Sequence, residues 1–148
     1  MPVGRVLGID FGERRIGLAL SDPTATLASP LETLVRRPGK RPPLKVLEEI
    51  ARAHAVARLV VGLPLDLSGE ENEWCRAVRA SADELARRLA VPVEYVDERF
   101  TSAAAARAVR GSGLGRTERE RKERVDRAAA ALILQRWLDT RRREQETQ

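Results

Sequence analysis

Residues 5–22 read RVLGIDFGERRIGLALSD, and this stretch decides the architecture. Val6, Leu7 and Ile9 make a short apolar strand that ends on a carboxylate, Asp10, with Gly8 and Gly12 on either side. A second apolar run, residues 16–20, follows a turn carrying Gly12, Glu13, Arg14 and Arg15. Two such runs joined by a short glycine-containing turn are the pattern of a β-hairpin. Asp10 then sits at the mouth of a sheet, where the flanking glycines let a phosphate or a metal-bound backbone come close. Taken alone, an aspartate beside a glycine at a strand end is an ordinary turn-former. Gly12 and Gly17 complete neither a dinucleotide fingerprint nor a Walker loop, because no Gly-Lys-Ser/Thr follows and no helix starts there.

The 148 residues suit one domain with a real core. Residues 1–140 are read as that domain and residues 141–148 as a polar, frayed tail. With 43% hydrophobic and 33% charged residues, the composition is that of a soluble globular protein. No apolar run approaches the roughly 20 residues of a membrane span. The start goes straight into a strand pattern, so no signal peptide and a cytoplasmic location are expected. A single cysteine, Cys75, forms no internal disulfide, and a single histidine, His54, builds no histidine-rich metal site. A metal would therefore be held by carboxylates, which selects Mg²⁺ or Mn²⁺ and all but excludes zinc. The net charge of +5 suits a polyanionic partner. Only three of the 27 basic residues are lysine. Arginine grips phosphate bidentately, although a GC-rich coding sequence would give the same bias.

Beyond the hairpin, residues 25–35 read as a third strand bent at Pro30. Residues 36–45 carry five basic residues, three prolines and no acid, an exposed stiff loop. Leu44, Leu47, Ile50 and Ala51 then mark a helix over 43–54, begun by Pro43 and ended by His54 near the negative pole of its dipole. Residues 58–62 are a near-continuous apolar run, as in a parallel strand covered on both faces, and open into a loop over 63–69. A helix over 71–89 buries Trp74, Val78, Leu85 and Leu89, which makes Trp74 and Cys75 core residues rather than catalytic ones. Residues 91–97 form another strand, ending in Asp97, Glu98 and Arg99. This order predicts an α/β domain with a five-stranded mixed sheet, antiparallel at the hairpin and parallel later. Ligands gather outside the carboxyl ends of such strands. Thr101 and Ser102 cap a helix over 103–109, and glycines at 111, 113 and 115 break the chain. Residues 116–127 carry six basic residues against Glu118, Glu120, Glu123 and Asp126, either a salt-bridged helix start or a nucleic-acid contact. The last helix begins at Glu118 or Val125 and runs to Arg143. Asp126 shares its apolar face with Ala129, Ala130, Ile133 and Trp137. A carboxylate on a buried face needs a partner, for which Lys122 or a metal ion is available.

Three carboxylates thus stand on separate elements: Asp10, Glu98 and Asp126. If the sheet gathers them, they can hold two divalent ions about 4 Å apart, one activating water and one stabilising the leaving oxygen of a phosphodiester. The ions would be fully bound only with substrate present. Basic residues around them, Arg14, Arg15, Arg36, Arg37, Lys40, Arg41, Arg99, Arg116 and Lys122, would hold a polyanion without reading its sequence.

Gly8-Ile-Asp10-Phe-Gly12, Arg15-Ile-Gly17-Leu-Ala-Leu-Ser-Asp22, Val61-Gly62-Leu-Pro64 with Gly69, Asp97-Glu98-Arg99-Phe-Thr101-Ser102, Lys122 with Val125-Asp126-Arg-Ala-Ala129, and Ile133-Leu-Gln135 recur in this order over nearly the whole chain. In these motifs the chain resembles the YqgF/RuvX family, bacterial RNase H-like proteins described as Holliday-junction resolvases and as nucleases maturing the 16S ribosomal RNA precursor. The resemblance implies an RNase H-like fold and metal-binding catalytic roles for Asp10, Glu98 and Asp126. It also implies that Arg15 and Arg99 shape the site or touch phosphate and that Thr101 and Ser102 support the loop. The related RuvC-type resolving enzymes carry an acid on the strand that here ends in Gly62. Glu98 is expected to supply it from the next strand, with Asp97 as the alternative. Asp66 stands where relatives are expected to carry asparagine.

The leading expectation is a two-metal nuclease acting on structured RNA, the 16S precursor foremost, as a monomer or homodimer with no membrane partner. The alternative keeps the chemistry and makes branched DNA the substrate, with junction symmetry demanding a dimer. A sugar-kinase or actin-like ATP-binding unit needs two such domains, and 148 residues hold one. A non-catalytic nucleic-acid-binding assembly protein is the remaining reading, against which the three acids speak.

Overall fold

The computed structural model describes residues 4–37, 41–100 and 116–146. The hairpin forms as β1 (Arg5–Phe11) and β2 (Arg15–Ser21), antiparallel, with Leu7 opposite Leu20 and Asp10 opposite Gly17. Alternation along β1 sends Leu7, Ile9 and Phe11 to one face and Val6, Gly8 and Asp10 to the other. β3 (Ala28–Val35) pairs antiparallel with β2 and bulges where Ala19 meets Pro30. β3 is the sheet's edge strand, where a proline's missing N–H leaves no ladder bond unmade. β4 (Val56–Leu63) runs parallel to β1, and β5 (Val93–Asp97) runs parallel to β4. The order across the sheet is β3-β2-β1-β4-β5.

Helices cover both faces. α1 (Leu44–Ala53) buries Leu47 and Ala51, and α2 (Glu73–Leu89) buries Cys75, Val78, Ala82, Leu85 and Ala86. Both pack with Leu7, Ile9, Leu18, Leu59 and Val61 into the larger apolar cluster. α3 (Arg116–Glu146) lies across the opposite face, where Ala129, Ala130, Ile133, Leu134 and Leu138 meet Val6, Ala19 and Val60. Small residues on β1, β2 and β4 make that seat possible. A Cβ on Gly8 would stand 2.8 Å from Leu134 Cβ, one on Gly62 2.6 Å from Ile133 Cδ1, and one on Gly17 would overlap the carbonyl oxygen of Asp126. No helix among the described residues is long and apolar enough to cross a membrane.

Several expected boundaries move. The third strand starts at Ala28 rather than residue 25, because the Asp22 carboxylate gathers the N–H groups of Thr24, Thr26 and Leu27 into a turn and Ala25 takes a left-handed φ of 57°. α2 starts at Glu73, since Asn72 accepts the Cys75 N–H at 2.9 Å and caps the helix. Trp74 and Leu89 are only partly buried against the core. The last helix begins at Arg116 and continues through residues 141–146, where a frayed tail was expected. The Arg141 guanidinium lies 5.1 Å from the Trp137 ring centroid and Arg142 pairs with Asp139, contacts that hold the final turns. Lys122 pairs with Glu118 and not with Asp126. The expected helix over 103–109, its Thr101-Ser102 cap, the glycines at 111–115 and Lys40 lie outside the described residues, as does the Arg116 side chain.

Candidate active site

Asp10, Ser21, Glu98 and Asp126 are the buried polar or charged residues among those described, and the three acids are at most 3% exposed. Each reaches the α3 face by a different route. Asp10 gets there by strand alternation at the end of β1. Gly17, its cross-strand partner, has no side chain, so the first buried turns of α3 settle on β2 and bring Asp126 over the hairpin. Glu98 follows β5 in a single 3-10 turn, Glu98–Phe100. Its carboxylate folds back against Gly62, where a Cβ would stand 2.7 Å from Oε1. Val61 pairs with Ile9, so Gly62 falls level with Asp10 in the parallel ladder. The glycine on β4 thus leaves room for an acid delivered from the neighbouring strand.

The guanidinium of Arg15, at the start of β2, donates its Nε–H to Asp126 Oδ2 at 2.6 Å, bridging residues 111 apart in sequence. Among the described residues, no three acidic, histidine or cysteine side chains converge closely enough to hold one ion between them. Asp97 is differently engaged. Its carboxylate takes both arms of the Arg99 fork, at 2.7 to 3.1 Å, and this pairing holds it below the usual carboxylate range. Arg99 also donates to the Leu67 carbonyl at 3.1 Å and packs over Gly69, which has a φ of 89°. It therefore pins the loop after β4. Asp66 is exposed in that loop and accepts from the Asn72 amide at 2.9 Å.

A groove of about 610 Å³ is lined by Arg14, Arg15, Arg36 and Arg119 with Glu13 and Glu123, and Arg15 joins it to Asp126. Arg36 is fixed in it: its Nη1 donates to the Gly12 carbonyl at 2.9 Å, and burial pulls its pKa below the ordinary arginine value. Arg37 and Arg41 are exposed. Arg119 belongs to the basic segment over residues 116–127 but is not singled out by sequence; its signal is the seven-residue spacing from Asp126, which puts both on one face of a helix. Neither Gly17 nor Gly62 stood out as a packing position. The reason is visible only in the register that sets both on the face α3 covers. The chain's one imidazole and one thiol lie on other elements, His54 at the end of α1 and Cys75 in the cluster on the opposite face, so the ionisable side chains of this site are carboxylates and guanidinium groups.

A family model described as "RuvX: Holliday junction resolvase" matches residues 4–140. Curated relatives named "Putative pre-16S rRNA nuclease" are 44% identical in Koribacter versatilis, over 93% of this chain and 88% of the relative, and 45% identical in Chloroflexus aggregans, over 93% and 94%. Among solved structures, RuvC of Thermus thermophilus superposes with a TM-score of 0.56 in its complex with a Holliday junction substrate and 0.54 in a second structure. Both are 17% identical and cover 93% of this chain and 95% of theirs, a likeness of RNase H-like fold.

Proposed function

Because this chain belongs to the RuvX family, we propose that it is a nuclease hydrolysing a phosphodiester bond of structured nucleic acid, with the 16S ribosomal RNA precursor as substrate. The observation that carries this reading is the burial of Asp10, Glu98 and Asp126 on the face of the sheet that the last helix covers, with Arg15 joining Asp126 to an arginine-lined groove. The donor set fits a hard divalent cation: all three groups are carboxylates, Cys75 is buried in the cluster on the other face, and His54 ends α1. Asp10, Glu98 and Asp126 would hold Mg²⁺ or Mn²⁺, with substrate phosphate oxygens completing the coordination. Such ions, when bound, lower the pKa of a water and offset charge on the leaving oxygen. Arg15 orients the Asp126 carboxylate through its Nε–H. Arg14, Arg36 and Arg119 neutralise phosphates along the groove, a contact that reads charge and not sequence.

Branched DNA is the second reading, favoured by the description of the matching family model. A cleavage assay with Mg²⁺ or Mn²⁺ separates the two, offering labelled 16S precursor and a synthetic four-way junction to wild type, Asp10→Asn, Glu98→Gln and Asp126→Asn. RNA cut by wild type and spared by all three variants is the expected result. Paired nicks in the junction alone would move the substrate to branched DNA. Salt-dependent binding with no cleavage of either, unchanged in the variants, would overturn the nuclease reading.

A further inference from the structure

A second cavity, of about 570 Å³, opens on the face of the sheet covered by α1 and α2. Phe11, Trp74 and Val78 give it an apolar lining, and Arg36 and Arg41 bring positive charge. Glu84 borders it too, but its carboxylate is paired with Arg87 and Arg88, which hold its pKa down to about 2. The volume lies in the range of small-molecule pockets, on the order of 300–1,000 Å³.

The cavity's position relative to the acids is set by one strand end. Phe11 follows Asp10 in β1, so alternation puts the cavity and the carboxylates on opposite faces of the same edge. Arg36 lines both the basic groove and the cavity. Its guanidinium lies 5.6 Å from the Trp74 ring centroid while donating to the Gly12 carbonyl in the hairpin turn. A polyanion lying in the groove therefore meets Arg36, whose guanidinium also lies over the Trp74 ring. Aromatic platforms bind bases without regard to sequence, because every base has a π-face.

We propose that this cavity is a nucleotide subsite. A single-stranded nucleotide flanking the scissile phosphate passes around Arg36, its base packs against Trp74, and Arg41 faces its phosphate. The subsite confers a preference for a duplex with a single-stranded extension over a blunt one. It rests on the nuclease reading, and its test reads binding rather than cleavage.

The chain has two tryptophans, so Trp137→Phe leaves Trp74 as the only one. In an Asp10→Asn, Trp137→Phe double variant with Mg²⁺ present, Trp74 emission is followed during titration with a blunt RNA duplex and with the same duplex carrying a 5′ or a 3′ extension. Emission is expected to be quenched by one of the extended duplexes and not by the blunt one. Trp74→Leu should weaken the extended duplex by about 5- to 100-fold and leave the blunt duplex unchanged. Trp74 packs partly against the core, so Arg41→Gln, at an exposed position, supplies the second variant and should weaken the extended duplex more than the blunt one. Extended and blunt duplexes bound alike, with the same emission, would overturn the subsite alone. Binding of neither duplex would overturn RNA as the substrate and the subsite together.

Discussion

Gly17→Ala is predicted to lift α3 from the sheet and to lower both stability and cleavage. The Gly17 backbone lies outside the left-handed region, so alanine fits its φ. Through the unfolded chain alone the substitution would stabilise by about 0.4–1 kcal/mol. In the folded protein the new Cβ would overlap the carbonyl oxygen of Asp126 and stand 3.0 Å from the Arg127 nitrogen. Both are helix backbone, so no side-chain rotation relieves the overlap and the helix itself must move. Overpacking costs about 1–3 kcal/mol, and a clash with backbone belongs in the upper half of that range, so a net loss of roughly 1–2 kcal/mol remains. For a chain of this size that corresponds to a Tm lower by roughly 2–8 °C. The same movement carries Asp126 away from Asp10, and a displacement of about 1 Å at a reacting centre is worth about 100-fold in rate. Gly62→Ala is the internal control. Its Cβ would meet Ile133 Cδ1 at 2.6 Å, Glu98 Oε1 at 2.7 Å and Glu98 Cγ at 2.9 Å, all side-chain atoms, so rotamer changes rather than a shift of helix backbone can answer the clash. That variant should melt closer to wild type while still losing cleavage, because the atom displaced is the Glu98 carboxylate. Thermal unfolding and a single-turnover cleavage assay on both proteins decide the matter. A Gly17→Ala protein with a Tm within about 1 °C of wild type and an unchanged rate would refute the seat of α3 on β2.

Asn72→Ala removes the cap on the Cys75 N–H and the amide contacts to Pro64 and Asp66. A loss of about 1 kcal/mol, read as a Tm lower by roughly 2–4 °C, is expected, and an unchanged Tm would refute the cap. Arg99→Gln releases the Leu67 carbonyl and frees Asp97 to titrate nearer the usual carboxylate range. Leu67 is already 96% exposed, so chymotrypsin should cut after it faster in the variant; equal rates would mean the loop is held by something else. Asp22 is held well below its ordinary value of 3.8, chiefly by the N–H of Leu27 and then by Thr24 and Thr26. A depressed carboxylate contributes stability above its unfolded pKa and loses it as pH falls through the folded one. The Tm gap between wild type and Asp22→Ala should therefore be widest near neutral pH and narrow below about pH 4. A gap constant down to about pH 2.5 would refute the turn as drawn.

The hairpin, the strand and helix order and the candidacy of Asp10, Glu98 and Asp126 were all legible in the chain, because each rests on local pattern. Alternation over residues 5–22 and helical spacing around Asp126 are properties of a dozen neighbouring residues, and strand ends followed by acids need no knowledge of what packs where. What the local pattern left open was decided between elements far apart in sequence. Arg15, 111 residues away, pairs with Asp126, whereas Lys122, one turn earlier, turns to Glu118. Asp97 and Glu98 are adjacent and chemically alike. The fork of Arg99 claims the first, and the empty side-chain position at Gly62 leaves room to bury the second. Gly17 and Gly62 read in sequence as strand residues of no note, and become the seat of a helix only when register sets them on the face it covers. Element type follows from near-neighbour backbone and solvent preferences, which the sequence alone encodes. Pairing of buried charges and close backbone approach depend on which surfaces meet across the sheet, and that is determined only when the tertiary structure closes.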